Sequence, residues 1–132
     1  MTTNDIQALF RSRSFRATPQ RIAVYKYLCE HHTHPDVDEI YRVMIKENPN
    51  FSPTTVYNAL KALEKEGLII SVTIDKDRVH YDANIDTHGH FKCEKCGKIF
   101  DFGIFDIKFG GIDDFYIRQK DIYYSGVCPE CK

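Results

Sequence analysis

The sequence predicts an α+β protein in which an N-terminal winged helix-turn-helix domain precedes a small C-terminal α/β unit held together by zinc. Two observations carry this prediction. Apolar residues recur at helical spacing through the first half of the chain and, after Gly67, at the two-residue spacing of strands. Four of the five cysteines in this chain of 132 residues form two Cys-x-x-Cys pairs, Cys93 with Cys96 and Cys128 with Cys131.

Four helical segments are predicted before Gly67, over residues 4–14, 18–31, 36–48 and 52–66. Thr18 and Ser52 each precede a proline, and a hydroxyl cap followed by Pro at the first helical position is a typical helix start. Asp36 opens the third segment, with Glu39 placed for a capping box. The predicted apolar faces are Ile6, Leu9 and Phe10; Ile22, Tyr25, Leu28 and Cys29; Ile40, Val43 and Met44; and Val56, Leu60 and Leu63.

The second half of the chain has the composition of strands. The run 68–74 and its return over 78–82 flank the turn Asp75-Lys76-Asp77, and together they predict a hairpin. Residues 83–87 are polar and lack a period, which predicts a hinge between domains at 1–82 and 88–132. Further strands are expected at 90–93, 98–102 and 115–124.

Helices followed by a two-stranded hairpin are the order of a winged helix-turn-helix, whose second motif helix normally enters the DNA major groove. Here that helix is residues 52–66, and its N-terminal hydroxyls suit phosphate contacts. The predicted DNA-contacting residues are Arg16, Thr54, Thr55, Tyr57, Asn58 and Lys61. The alternative is a buried tyrosine in an ordinary helical bundle.

Charge is unevenly distributed along the chain. The net charge is only -1, but residues 11–29 carry five Lys or Arg and no Asp or Glu. Such a segment can bind phosphate, or it can be a solvated helix face, and charge alone leaves both interpretations open.

The chain is expected in the cytoplasm and not in a membrane. No apolar run approaches the ~20 residues that span a bilayer, and the N-terminus lacks the regions of a signal peptide. Thiols stay reduced in that compartment, so the Cys-x-x-Cys pairs predict a metal site and not disulfides. Cys29 is predicted to be a small buried side chain.

The four paired cysteines predict a structural Zn²⁺ site. Each pair lies in a tight turn that can supply two ligands to the same ion. Four thiolates then leave no open coordination position for catalysis. The C-terminal piece is short, with modest apolar content, and such a unit rarely folds without additional support. Zinc binding supplies part of its folding free energy.

A second metal is predicted from nitrogen and oxygen ligands. His88 and His90 are two residues apart, so both point the same way on a strand, and a hairpin can return Asp101 beside them. Polar residues without a metal are the alternative. His34 and Asp82 are further candidates from the other side of the hinge, and spacing leaves open whether they join the same ion. If they do, one ion fixes the angle between the halves.

Five motifs stand out along the chain: R-A-T-P-Q-R at 16–21, H-P-D-V-D-E-I-Y at 34–41, S-P-T-T-V-Y-N-A-L at 52–60, H-G-H-F-K-C-E-K-C-G-K at 88–98 and G-V-C-P-E-C at 126–131. In these motifs the chain resembles the ferric uptake regulator family of bacterial metal-dependent repressors. The resemblance implies a C-terminal homodimerisation domain, a four-cysteine zinc and a regulatory metal near the hinge. It places the regulatory ligands at His34, Asp82, His88, His90 and Asp101.

Two positions resemble the peroxide-sensing subfamily: Asp101, where other members usually have Glu, and Asn58. This resemblance implies Fe²⁺ or Mn²⁺ in the regulatory site. It further implies oxidation of His34 or His88 by hydrogen peroxide, followed by release of an operator. Iron or manganese uptake regulation without peroxide chemistry is the alternative.

The chain departs from the family pattern in two places. Thr87 and Gly89 flank His88, so a third metal cluster known in some relatives is not expected. Gly110-Gly111 interrupts a short segment where relatives have a longer dimer-interface helix, and two glycines cost about 2 kcal/mol of helix propensity.

Two further function classes are compatible with part of the sequence. A non-haem iron enzyme would leave the helix-turn-helix unexplained and shows no separate acid–base pair, so no enzyme is expected. A zinc-containing DNA-binding module without sensing would bind DNA independently of a regulatory metal.

Overall fold

The computed structural model describes residues 1–85, 88–105, 108–117 and 120–132. The chain divides into two compact units, Met1–Ile85 and the residues that follow. Four helices and a two-stranded sheet lie in the first unit, and a three-stranded sheet lies in the second, which confirms the predicted α+β class. Residues 86 and 87 of the predicted hinge lie outside the described ranges.

All four predicted helices are present: α1 (Thr3–Ser12), α2 (Pro19–Glu30), α3 (Val37–Glu47) and α4 (Pro53–Lys65). Each begins after a side chain that accepts a hydrogen bond from the backbone N–H three residues on, namely Thr2, Thr18, Asp36 and Ser52. The predicted caps at the last three are therefore confirmed, although the capping box predicted at Asp36 lacks the return bond from the Glu39 side chain. The reciprocal capping box of Thr2 and Asp5 was not predicted, because Asp stands where Glu or Gln is usual.

The end of α4 depends on Gly67. Its φ of +79° lies in the left-handed region, and its N–H donates to the carbonyl of Glu64 at 2.9 Å. A residue with a Cβ is strained in that conformation, so glycine ends this helix where the sequence predicts.

The first unit has one apolar core, made by all four helices and the segment that follows them. Its buried members are Ile6, Phe10, Val24, Tyr25, Leu28, Ile40, Met44, Val56, Ala59, Leu60, Leu63, Leu68, Ile69 and Tyr81. Val24 was missed because α2 carries apolar residues on several faces, and periodicity alone does not choose among them. Four residues that were predicted to face inward are only partly buried at the edge of this core: Leu9, Ile22, Cys29 and Val43.

The predicted hairpin is confirmed but shorter than expected. Strands β1 (Ile70–Val72) and β2 (His80–Asp82) pair antiparallel, with Ile70 opposite Asp82. Leu68 and Ile69 belong to the helical core instead of the sheet. The apolar run 68–74 therefore contributes both to the helical core and to β1. Its two-residue period does not show where one ends and the other begins.

The second unit contains β3 (His88–Cys93), β4 (Ile99–Gly103) and β5 (Tyr123–Gly126) in the order β4-β3-β5. β4 is antiparallel to β3, whereas β5 is parallel to it. Residues 88–105, 108–117 and 120–132 contain no helix, so the α/β character expected of this unit is not seen in them. Gly110-Gly111 lies in that stretch, and Gly111 has a φ of +85°, which no helix accommodates.

The predicted strand over residues 115–124 is wrong in its extent. Pairing with β3 begins only at Tyr123, which lies opposite His90. Phe115 and Tyr116 are outside any strand and largely exposed. Immediately before this ladder, the Ile122 carbonyl accepts a hydrogen bond from the His90 N–H at 2.9 Å. Residues 118 and 119 lie outside the described ranges.

Among the described residues, none of the helices has the length and apolar character that crossing a bilayer requires.

Candidate metal centres and the outer face of α4

The four paired cysteines meet at one end of the second unit's sheet. Their sulfur atoms all lie within 4.8 Å of one another. Because β3 and β5 are parallel, with Cys93 opposite Gly126, both Cys-x-x-Cys turns leave the sheet at the same end. The structure therefore brings together the four cysteines that the two Cys-x-x-Cys motifs predicted as one metal site.

Backbone amides prepare one of these sulfurs for a metal. The N–H groups of Cys96 and Cys128 each donate to Cys93 Sγ at 3.4 Å, and these bonds lower the pKa of the Cys93 thiol to about 6. The hydrogen bond with Cys128 raises the pKa of Cys131 to about 12. A buried thiolate surrounded by three more sulfurs is the soft donor set of tetrahedral Zn²⁺, and it leaves no coordination position for a substrate.

The first unit holds a buried histidine–aspartate pair. His34 Nε2 lies 3.4 Å from Asp82 Oδ2, and both side chains are almost completely buried. His34 comes from the turn between α2 and α3, and Asp82 ends β2. Imidazole and carboxylate in such a position form a nitrogen–oxygen donor pair suited to a divalent metal.

The second unit holds a similar pair. His90 and Asp101 are directly opposite in the β3–β4 register, and His90 Nε2 lies 3.3 Å from Asp101 Oδ1. His90 is buried, whereas about a third of the Asp101 side chain is exposed. The predicted return of Asp101 beside the histidine strand is confirmed. The backbone of His88 belongs to β3, but its side chain and Thr87 lie outside the described part of the chain.

Gly89 occupies a position that tolerates no side chain. It pairs with Phe102 on β4, and the Phe102 ring lies so close that an added Cβ would collide with it. The same ring stacks on Tyr124 of β5, with centroids 5.4 Å apart. The glycine of the His-Gly-His motif therefore lets an aromatic ring cross β3.

Two histidines near the first pair were missed by the sequence analysis. His80 Nδ1 lies 2.6 Å from the carbonyl oxygen of His34, and His32 Nδ1 lies 3.9 Å from Asp82 Oδ1. His80 is mostly buried, whereas 60% of the His32 side chain is exposed. The position of His80, two residues before Asp82 on one strand, was a signal that both share a face.

The outer face of α4 carries most of the predicted DNA-contacting residues. Thr54, Tyr57, Asn58 and Lys61 are exposed, opposite the buried apolar face of the helix. Lys61 Nζ lies 5.5 Å from the centre of the Tyr57 ring. Tyr57 is 47% exposed, which excludes the alternative of a buried tyrosine.

The other two predicted contacts have different surroundings. The Thr55 hydroxyl lies 2.9 Å from that of Ser52, within the helix cap, and Thr55 is half-buried. Arg16 is exposed before α2, and its carbonyl accepts a hydrogen bond from Arg21. Arg16 therefore has the exposure that a DNA contact requires, whereas the Thr55 hydroxyl is engaged in the helix cap.

Cys29 belongs to neither group of candidate metal ligands. It packs against the core of the first unit, and burial raises the pKa of its thiol. A protonated thiol is a poor nucleophile, as expected, although Cys29 is less buried than predicted.

Comparisons with known proteins agree on the family. The model of the ferric uptake regulator family matches residues 12–123. The peroxide-responsive repressor PerR of Staphylococcus epidermidis is 36% identical over 130 residues, which cover 95% of this chain and 87% of that protein.

Solved structures support the fold over nearly the whole chain. The ferric uptake regulator Fur of Helicobacter pylori aligns with a TM-score of 0.74 and 23% identity, covering 99% of this chain and 94% of that one. PerR of Streptococcus pyogenes aligns with a TM-score of 0.56 and 30% identity, covering 98% and 92%.

Proposed function

Because the chain belongs to the ferric uptake regulator family, we propose that it is a metal-dependent transcriptional repressor that senses hydrogen peroxide. Members of this family are transcription regulators and not enzymes, so the function concerns binding to DNA. The relatives named as peroxide-responsive repressors support the peroxide assignment. The protein would act in the cytoplasm as a homodimer on a DNA operator.

The observation that carries the proposal is the pair of histidine–aspartate contacts, one in each unit. His34 with Asp82 and His90 with Asp101 each place an imidazole nitrogen within 3.4 Å of a carboxylate oxygen. We propose that these four residues and His88 hold one Fe²⁺ or Mn²⁺ ion. Ligands from both sides of a hinge at 83–87 would fix the domains 1–82 and 88–132 in the DNA-binding arrangement.

When bound there, ferrous iron supplies redox chemistry toward hydrogen peroxide that manganese does not. The chain supplies the groups that are oxidised, His34 and His88. One imidazole C–H takes up one oxygen atom of the peroxide, and the other oxygen leaves as water. An oxidised imidazole is a poorer ligand, so the hinge is released and the operator dissociates.

The four-cysteine zinc serves a structural role in this scheme. A closed shell of four thiolates has no free position for peroxide, and the ion holds the C-terminal domain together. That domain would form the dimer. Its exposed aromatic residues support this role, because aromatic side chains are enriched where protein surfaces associate. They are Phe105, Phe109, Phe115, Tyr116 and Tyr124.

The outer face of α4 would read the operator. Tyr57, Asn58 and Lys61 are exposed and stand on the second helix of the helix-turn-helix. Thr54, Thr55 and Arg16 would contact phosphates. Replacing a Lys or Arg that contacts a phosphate should weaken binding on all sequences and reduce the salt-dependence slope by about 0.9, whereas replacing a base-contacting residue should alter sequence preference.

The test loads the protein with Fe²⁺, adds low peroxide under exclusion of oxygen, and measures the masses of the peptides that contain His34 and His88. Addition of one oxygen atom is the expected result, and the Mn²⁺-loaded protein serves as the control with unchanged masses. Unchanged masses with iron, together with metal-dependent DNA binding, would favour iron or manganese uptake regulation instead.

A companion variant tests the sensor as such. Asp101→Ala is expected to abolish the Mn²⁺ dependence of binding to DNA fragments that the unmodified protein selects from a random pool. Binding that stays the same with and without Mn²⁺ in the unmodified protein would indicate a DNA-binding module without a sensor.

A further inference from the structure

We propose that His80 is a positioning residue that holds the backbone of His34 and thereby links the regulatory metal site to the wing hairpin, residues 70–82. The inference rests on the proposed role of His34 as a metal ligand. All the contacts that carry it lie within the first unit.

The link begins with a hydrogen bond between a side chain and a ligand's own backbone. His80 Nδ1 lies 2.6 Å from the His34 carbonyl oxygen. A carbonyl can only accept, so Nδ1 carries the hydrogen. The other nitrogen of the His80 ring, Nε2, lies 3.4 Å from Asp75 Oδ2 in the turn of the wing hairpin. Because 11% of the His80 side chain is exposed, water is poorly placed to replace either contact.

The backbone that His80 holds adopts an unusual conformation. His34 has a φ of +57°, in the left-handed region that residues with a Cβ rarely occupy. Pro35 follows and disfavours the right-handed helical region at His34. Such a conformation persists only where surrounding contacts determine it, and the bond from His80 is one of them.

The two residues after His34 are also attached to the wing hairpin. The Pro35 carbonyl accepts from the Tyr81 N–H at 2.9 Å, and Asp36 forms a β-bridge with His80. Asp36 Oδ2 lies 3.0 Å from Arg78 Nη1. The segment 34–36 is therefore connected to the wing at every residue.

Asp36 extends the link to the helix-turn-helix. Its Oδ1 accepts from the Glu39 N–H at 2.9 Å and so caps α3, the first helix of that motif. The Asp36 carboxylate thus joins the start of α3 to Arg78. A displacement of His34, whether by loss of the metal or by oxidation, would reach the wing through His80 and α3 through Asp36.

The test compares three replacements of His80. Asparagine places an amide nitrogen near the position of Nδ1, glutamine places one near Nε2, and alanine removes both. His31→Ala is the matched control, since His31 Nδ1 also contacts a backbone carbonyl, that of Tyr27, at 3.0 Å from an exposed position. Mn²⁺ affinity is measured by the paramagnetic resonance of free Mn²⁺, and thermal unfolding shows that each variant is folded.

We expect His80→Ala and His80→Gln to weaken Mn²⁺ binding about tenfold, as loss of an outer partner of a metal ligand does. His80→Asn should restore most of the affinity, and His31→Ala should leave it unchanged. In His80→Ala without metal, the Tyr81 amide should exchange its hydrogen faster than in the unmodified protein.

Several results would overturn the role of His80. These are equal Mn²⁺ affinity in His80→Ala and the unmodified protein, no rescue by asparagine, or an equal loss in His31→Ala. An unmodified protein that binds no Mn²⁺ would contradict the proposed function itself. In that case unchanged Tyr81 exchange in His80→Ala would also refute the link between His34 and the wing.

Discussion

The two units bury different kinds of residue. The first encloses a continuous core of aliphatic and aromatic side chains from four helices. In the described part of the second, the fully buried residues are Gly89, His90, Cys93 and Cys128, and none of them is aliphatic. A short segment can fold without an apolar core if a metal supplies the missing free energy. One unit should therefore depend on packing and the other on an ion.

The largest expected effect separates the units by removing zinc. Cys128→Ala should leave β3, β4 and β5 unfolded while α1 to α4 remain folded, because zinc binding in small structural sites is worth about 10–16 kcal/mol. Residue-resolved amide exchange measures both units in one experiment. Cys29→Ala is the control, and the comparison fails if strand amides stay protected in Cys128→Ala.

The next effect acts on the packed unit alone. Leu60 is completely buried in α4, so Leu60→Ala should lower the free energy of unfolding of the first unit by about 2–5 kcal/mol. Urea unfolding followed by helical circular dichroism reports it, since all helices of the described residues lie in that unit. Asn58→Ala on the exposed face should change little, and equal losses in both variants would argue against the assigned core.

A smaller effect depends on pH. Burial, and secondarily Cys29, raise the pKa of Tyr25 to about 12, from about 10 in the unfolded chain. The resulting stability is complete below pH 10 and is lost as the pH rises toward 12, because the unfolded chain ionises first. The loss amounts to about 2 kcal/mol. Tyr25→Phe should flatten this part of the alkaline unfolding profile; an unchanged slope would refute the assignment.

The smallest effect concerns a helix start. The Thr18 hydroxyl accepts from the Arg21 N–H at 3.2 Å, so Thr18→Ala should cost the first unit about 1 kcal/mol. The midpoint of thermal unfolding measures this loss. Thr54→Ala, within the first turn of α4 and not at its cap, should be nearly neutral.

Features that depend on neighbouring residues, such as helix caps, could be predicted from the sequence. Pairing between distant segments could be predicted less well. The caps at Thr18, Asp36 and Ser52 depend on the next three residues, and all were predicted. The return of Asp101 beside His90 needed only a short hairpin. The strand over 115–124 was mispredicted because its partner, β3, lies about 30 residues earlier and pairs with it only from Tyr123.

The contact from His80 to His34 shows the same limit, since 46 positions separate the two residues. Neither the composition nor the period of β2 indicates which backbone carbonyl its histidine reaches. The sequence pattern shows which residue types lie on one face of a strand. The distant residue that each side chain contacts is decided by the packing of helices and strands.

The parallel pairing of β3 with β5 also has a consequence for synthesis on the ribosome. Cys96 and Cys128 are 32 positions apart, which corresponds to about 2–6 s of elongation at roughly 5–20 residues per second. During that interval the early dithiol has emerged without its later counterpart. The nascent chain then offers a half-formed chelator, open to oxidants and to competing ions, before the intended occupant can be enclosed.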